Sequence, residues 1–320
     1  MSMHLVDPEL KSLLDLIPTI NLTEEKLPLI RPAGIPFPSD PEVAKAVDTI
    51  VRKIPGPSGE PEVGVSIYSP KDMKEVLPCI FHIHGGGFVR GSTEELCPVH
   101  QKLSLEANCV IVSVDYRLAP ETHCPGAIED CYTALRWVFE NVHELNIDKL
   151  HIGVMGESAG GGLAASLALL VRDRGEFSLS FQHLIYPMLD DRTCVTQDPH
   201  KYVGEFIWTP ASNYFGWKSL LGAEPGSEGV SIYASPARAE NLSGLPPAYI
   251  ATGSLDLFLE EDIEYARRLM RFGVPVELHV YPGAFHVFNI APLSHIAANA
   301  RRDSLAALKR SLHFSKKYFT

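Results

Sequence analysis

His151-Ile152-Gly153-Val154-Met155-Gly156-Glu157-Ser158-Ala159-Gly160 joins a short apolar run to a G-x-S-x-G turn. From near Gly161 the chain turns rich in Ala and Leu, which predicts a helix. Strand, G-x-S-x-G turn and helix in that order make the context of a nucleophile elbow. The turn must be sharp, so the residues flanking the serine must be small. It lifts one hydroxyl, that of Ser158, off the end of the sheet and over a helix N-terminus. The same five residues could also form an ordinary strand–helix turn, so the rest of the chain has to decide.

Working outward, His84-Gly85-Gly86-Gly87-Phe88 closes a second apolar run, Pro78-Cys79-Ile80-Phe81-His82-Ile83. Three consecutive glycines leave the backbone free to aim N–H groups inward with no Cβ in the way. Acyl transfer needs such donors where a carbonyl oxygen becomes an oxyanion. The candidates are the N–H groups of Gly86 and Gly87, with that of Ala159 after the serine. A phosphate-binding loop would need a helix at once and a Lys-Ser/Thr pair. Phe88-Val89-Arg90-Gly91-Ser92 follows instead.

An elbow serine needs a base, and the base an acid, in the chain order Ser, Asp or Glu, His. Pro247-Ala248-Tyr249-Ile250-Ala251-Thr252-Gly253 reads as a strand with Asp256 just past it. Asp256 is the candidate acid. Glu260, Glu261 and Asp262 fall on the next helix, where acids are expected to face solvent. Val276-Glu277-Leu278-His279-Val280-Tyr281 reads as the following strand, and His286 lies in the loop beyond it. His286 is the candidate base, and His279 is expected to be a sheet residue.

With these pieces in place the chain resembles the hormone-sensitive-lipase-like esterases of the α/β-hydrolase superfamily. The matching stretches are His84-Gly85-Gly86-Gly87, Asp115-Tyr116-Arg117-Leu118-Ala119-Pro120-Glu121, Gly156-Glu157-Ser158-Ala159-Gly160, Asp256, and Gly283-Ala284-Phe285-His286-Val287-Phe288. The resemblance implies a mostly parallel, doubly wound sheet of about eight strands with a helical cap. It implies a serine carboxylic-ester hydrolase for short- to medium-chain acyl esters, working through an acyl-enzyme without a cofactor; the same triad would also serve an amidase, a lactonase or a deacetylase, and a non-catalytic small-molecule receptor on this fold would be expected to lose part of it. The chain departs from many members in carrying Glu157 where they carry Asp or Thr. It also lacks the Asp-Pro-Leu run that relatives often show at Asp256.

The alternation supports the same fold class. Strands read at about 63–68, 78–83, 109–114, 150–155, 182–187, 247–252 and 275–281, mostly with helical patterns between them. Two stretches stand outside it. Residues 1–54 carry an amphipathic helix over 7–17 and a second expected from Asp40 to about Ile54, which the resemblance implies form the first part of a cap. Residues 198–240 hold Phe206, Trp208, Tyr214, Phe215 and Trp217, which read either as a helix packed on the core or as the second part of that cap. Residues 55–197 and 241–320 then make the core. Phe88, Glu157, Phe206, Trp208, Phe215 and Val287 are the candidate substrate-pocket residues. Arg117 is expected to pair with a buried acid. His84 is expected to anchor the glycine loop and His82 to pack. The two could serve as metal ligands only with a third ligand, and no spacing supplies one.

Composition narrows the partners. At 45% hydrophobic the chain can bury a large core, and its net charge of −11 opposes nucleic acid and anionic membranes. No apolar run reaches membrane-spanning length, and no basic-then-apolar leader is read at the N-terminus. The six cysteines lack C-x-x-C spacing, so reduced thiols and a cytoplasmic location are expected. The expected partner is a small-molecule ester, with no stable membrane association and a homodimer left open.

Overall fold

The computed structural model describes residues 2–34, 37–73 and 75–313. Its centre is an eight-stranded sheet: β1 (Val47–Ile54), β2 (Val63–Pro70), β3 (Leu77–Ile83), β4 (Val110–Asp115), β5 (Ile147–Glu157), β6 (Gln182–Ile185), β7 (Ala248–Gly253) and β8 (Val276–Tyr281). The spatial order is β1-β2-β4-β3-β5-β6-β7-β8. The first two pairings, β1 with β2 and β2 with β4, are antiparallel, and the rest are parallel. β3 and β6 are buried along their whole length, and β4 up to its last residue, because helices cover both faces, as parallel sheets require.

The helices are α1 (Lys11–Leu16), α2 (Leu27–Ile30), α3 (Pro41–Ala46), α4 (Cys97–Ala107), α5 (Gly126–Glu140), α6 (Ala159–Arg174), α7 (Pro210–Leu221), α8 (Leu259–Arg271) and α9 (His295–His313). On one face Ile80, Ile111 and Met155 pack with Leu308 and Leu312 of α9. On the other, Phe81, Val112 and Val154 join Leu135 and Val138 of α5, the apolar residues of α6, and Leu269 of α8 in the main core. Successive strand residues thus feed opposite layers.

One expectation needs correcting. The helix expected from Asp40 to Ile54 stops at Ala46, and Val47–Ile54 is an edge strand of the sheet. Its apolar positions fit helical spacing, but five of its eight residues (Val47, Thr49, Ile50, Val51, Ile54) are β-branched, which favours a pleated surface. Pairing with β2, from Val47 opposite Pro70 to Ile54 opposite Val63, supplies the backbone partners. The N-terminal segment outside the sheet therefore ends before Val47.

The N-terminal helix does form, as a 3₁₀ turn over Pro8–Leu10 running into α1. Asp7 caps it by accepting from Glu9 N at 2.9 Å, and Pro8 stands where no N–H is needed. Leu10 and Leu13 are buried against the loops that follow β7 and β8, beside Leu255, Phe285 and Phe288. Farther along, Ile207 N donates to Thr19 Oγ1, Thr209 Oγ1 meets Asn21 Oδ1, and Leu22 N donates to Ser212 Oγ. The two segments outside the alternation are stitched to each other.

Candidate active site

Ser158, Asp256, His286 and the glycine loop arrive together because each follows the carboxyl end of a parallel strand: β5, β7, β8 and β3. Ser158 has φ 56° and ψ −122°, a conformation a side-chain-bearing residue adopts only when its surroundings hold it there. They do: Ser158 N donates to Ile185 O, and Ser158 O accepts from Met188 N and Gly162 N. A Cβ at Gly160 would sit 2.0 Å from Ile83 O, so the turn after the serine tolerates only glycine.

His286 Nε2 lies 2.9 Å from Ser158 Oγ, and His286 Nδ1 lies 2.8 Å from Asp256 Oδ2. All three are buried. Asp256 Oδ1 also accepts from Phe258 N at 3.0 Å, which fixes the carboxylate's orientation. The imidazole is boxed by the rings of Tyr186 and Phe258, at 4.7 and 5.3 Å between centroids. Burial raises the Tyr186 phenol well above its ordinary value, and nearby Glu157 and Asp256 add to this. It stays protonated and donates to Asn289 Oδ1 at 2.7 Å.

The glycine loop turns back on itself through Val89 N and Arg90 N, both donating to Gly86 O. Gly86 and Gly87 have φ of 117° and 63°. A Cβ on Gly87 would meet Trp208 at 2.2 Å. No hydrogen bond among the described residues occupies the N–H of Gly86, Gly87 or Ala159. Ala159 opens α6, so its N–H belongs to the unpaired first turn and carries the positive end of the helix dipole. His84 holds the loop from below: its Nδ1 is 2.8 Å from Gly85 O, and its ring stacks on Tyr116, whose hydroxyl donates to His84 O. Burial lowers the His84 pKa, so the ring is neutral and gives its Nδ1 proton to Gly85 O.

A cavity of about 500 Å³ stands over Ser158. Leu16, Ile17, Ile20 and Leu22 from the N-terminal segment line it, with Ile207 and Trp208 from the second segment and Val287 and Ile290 beyond the histidine. Backbone strain gathers here. Of the seven non-glycine residues with positive φ among the described residues, five are Phe88, Ser158, Tyr186, Ile207 and Val287, and the other two are asparagines. For β-branched Ile207 and Val287 that geometry is an outlier.

Of the candidate pocket residues, Glu157, Trp208 and Val287 line the cavity. Phe88, Phe206 and Phe215 do not, and those expectations are corrected. Phe88 is buried against Trp217 at 5.2 Å between rings, and Phe206 against Phe285 at 5.6 Å. Phe215 packs half-buried on the main core. Phe88 has a positive φ of 67° and is buried. Tyr186 and Asn289 also line the cavity, and sequence reasoning misses both. Tyr186 stands just past the carboxyl end of β6, which is the signal that could find it.

The other acids also differ from expectation. Glu260 is exposed, but Glu261 and Asp262 are buried. Glu261 accepts from Leu189 N, Asp190 N and the Thr193 hydroxyl. Burial pushes both carboxyls well above the usual range. Glu157 Oε2 is 2.9 Å from His82 Nε2, and His82 Nδ1 is 3.3 Å from Ser113 Oγ. These partners occupy both His82 nitrogens and separate it from His84. Among the described residues no cluster of three or more His, Cys, Asp or Glu is placed to hold a metal. Arg117 pairs with buried Asp130, through Nε to Oδ2 and Nη2 to Oδ1, both at 2.8 Å. His279 lies on β8 beside Glu277. No described helix is long and apolar enough to cross a membrane.

A family described as alpha/beta hydrolase fold matches residues 80–290. Carboxylesterase NlhH of Mycobacterium tuberculosis is 35% identical over 315 residues, spanning 96% of this chain and 97% of the relative. Esterase LipI of the same organism is 33% identical, covering 96% of each. Among solved structures, one titled Bacterial Heroin Esterase superposes with a TM-score of 0.88 at 35% identity, over 98% of this chain and 99% of that one.

Proposed function

This chain belongs to the hormone-sensitive-lipase-like carboxylesterases of the α/β-hydrolase fold family, and we propose that Ser158, His286 and Asp256 carry out its ester hydrolysis, on short- to medium-chain acyl esters. Ser158 Oγ attacks the ester carbonyl carbon as its proton passes to His286 Nε2. Asp256 holds the imidazole with its other proton on Nδ1 and stabilises the imidazolium. The N–H groups of Gly86, Gly87 and Ala159 receive the oxyanion. His286 then gives its proton to the leaving alkoxide, and the carbonyl reforms as an acyl-Ser158. Water, losing a proton to His286, attacks that acyl group. Collapse releases the acid and returns the proton to Ser158.

One observation carries this reading: a hydrogen-bonded chain from Ser158 through His286 to Asp256, beside three backbone donors that no described residue uses. The cavity's apolar walls and bounded volume suit short acyl groups, since each added methylene must find room or displace side chains. We assign residues before Val47 and the 198–240 stretch as the two parts of a cap that sets this limit. Six free cysteines fit a cytoplasmic setting.

The test is a panel of aryl esters of two to sixteen acyl carbons, run beside an anilide and a lactone, with fluorophosphonate labelling. Turnover should peak between about two and eight carbons. Labelling should map to Ser158 and vanish in Ser158→Ala. Labelling on another serine, or faster turnover of the anilide than of its ester, would overturn the assignment.

A further inference from the structure

Arg31 lies outside both the nucleophile elbow and the cavity lining, yet it grips the loop that carries two of the three oxyanion donors. Its Nε donates to Val89 O at 2.8 Å and its Nη2 to Ala119 O at 2.9 Å. Both terminal nitrogens meet the Glu121 carboxylate, each at 2.7 Å. Val89 and Ala119 are buried. They belong to two neighbouring loops already joined by Ala119 N donating to Phe88 O. A second tie runs the other way, from Arg90 Nη2 to Ala33 O at 3.1 Å. Arg31 follows α2 in the N-terminal segment, so this side chain connects the cap to the oxyanion loop.

The loop needs such a fixture. Gly86, Gly87 and Phe88 have positive φ in succession. Backbone in sparsely populated regions persists only where its surroundings over-determine it. Val89 is the next residue, and Arg31 holds its carbonyl. The Arg31–Glu121 pair is too exposed to supply much stability itself, with side-chain exposures of 29% and 61%. What it does is orient the guanidinium plane, so that the remaining N–H groups reach two carbonyls on separate loops. Only a planar fork of donors can bridge three acceptors this way.

We infer that Arg31 is a positioning residue for the oxyanion hole, coupling the docking of the N-terminal segment to transition-state stabilisation. This rests on the oxyanion assignment proposed above. Removing the fork should let Gly86 and Gly87 drift from the place the oxyanion occupies, while leaving the apolar cavity that binds the ground state. Loss of an entire oxyanion donor costs roughly 10²- to 10³-fold in kcat, so displacing donors should cost roughly 10- to 100-fold. KM should change little.

The experiment compares the full-length chain with Arg31→Ala, Arg31→Met (which keeps an apolar stem) and Arg31→Lys. Active sites are first counted by fluorophosphonate titration, so a misfolded fraction does not enter the rates. The expected result is a roughly 10- to 100-fold fall in kcat per titrated site for all three, KM within about threefold, and weaker inhibition by an alkylboronic acid in proportion to kcat. A boronate forms a tetrahedral adduct on serine and therefore reads the hole. Arg31→Lys should not recover the parent's rate, because an ammonium cannot bridge three acceptors. Variants whose per-site kcat and boronate inhibition match the parent would overturn the inference, whatever their melting temperatures. So would a raised KM with unchanged kcat. A parent chain that neither turns over esters nor labels at Ser158 would overturn the underlying assignment, and this inference with it.

Discussion

Replacing Asp256 with asparagine tests the proposed chemistry at its most sensitive joint. The substituted amide would keep its oxygen where Oδ1 now lies, because Phe258 N donates there at 3.0 Å and a buried N–H cannot be left unpaired cheaply. That pins the amide nitrogen toward His286 Nδ1, where Asp256 Oδ2 now stands at 2.8 Å. An amide N–H facing Nδ1 forces the imidazole proton onto Nε2. Nε2 then cannot accept the Ser158 proton, although the 2.9 Å separation is unchanged. In serine proteases the wrong tautomer costs about 10⁴-fold in kcat, which is about 5.4 kcal/mol on the barrier. The assay is kcat on an aryl butyrate at neutral pH, normalised to active sites, with thermal melts to show that the fold survives. Glu260→Gln should stay within about threefold of the parent, since Glu260 is exposed. Asp256→Asn within tenfold of the parent would refute the reasoning, and a larger loss in Asp262→Asn would move the acid along the chain.

Three further expectations can be checked alongside. Burial raises the Glu261 and Asp262 carboxyls well above the roughly 4 of an unfolded chain, so the native state keeps protons that the unfolded state has lost. Their contribution to stability is full below about pH 4 and is lost as pH rises through the raised values; Asp262→Asn should therefore gain in melting temperature relative to the parent from about pH 5 to 8, and a flat difference would refute this. The difference is the right readout because buried His100 and His183, both with lowered pKa, act in the opposite sense below about pH 6.5. EDTA should leave esterase turnover unchanged, and loss restored by zinc would redirect attention to His82 and His84. Leu10→Ala, at a site with no exposure, should cost about 2–5 kcal/mol in urea unfolding, and a loss under about 1 kcal/mol would mean that the N-terminal helix is not docked as described.

What is legible in the sequence is what local chemistry dictates. The elbow at Ser158, the glycine loop and the acid and base past two strands are each specified by a few adjacent residues, and the sheet brings them together. Val47–Ile54 reads as helix because its apolar spacing suits a helix and a strand alike, and only pairing with β2 decides between them. Phe88, Phe206 and Phe215 mislead for another reason. An aromatic near a site reads the same in sequence whether it faces the cavity or the core, and here Phe88 packs in the core against Trp217. Glu261 is the sharpest case: a helix-face acid is ordinarily solvated, but donors 68–72 residues away in sequence make its burial tolerable.

The contacts of the N-terminal segment also bear on how the protein is made. This segment is synthesised well before its partners, which lie up to 286 positions farther along the chain. Asp7 N waits for Gly283 O, and Glu9 waits for His295, 286 positions later. Until then Leu10 and Leu13 lack part of their apolar setting, because the cluster they complete includes Phe285, Phe288, Ala297 and Ala300. A nascent chain thus carries an incompletely buried apolar strip while those 286 positions are added, roughly 15–60 s at ordinary translation rates. Docking of the N-terminal segment can finish only after β8 and the loop beyond it have been made, and Leu16, Ile17, Ile20 and Leu22 take their places along the cavity over Ser158 only then.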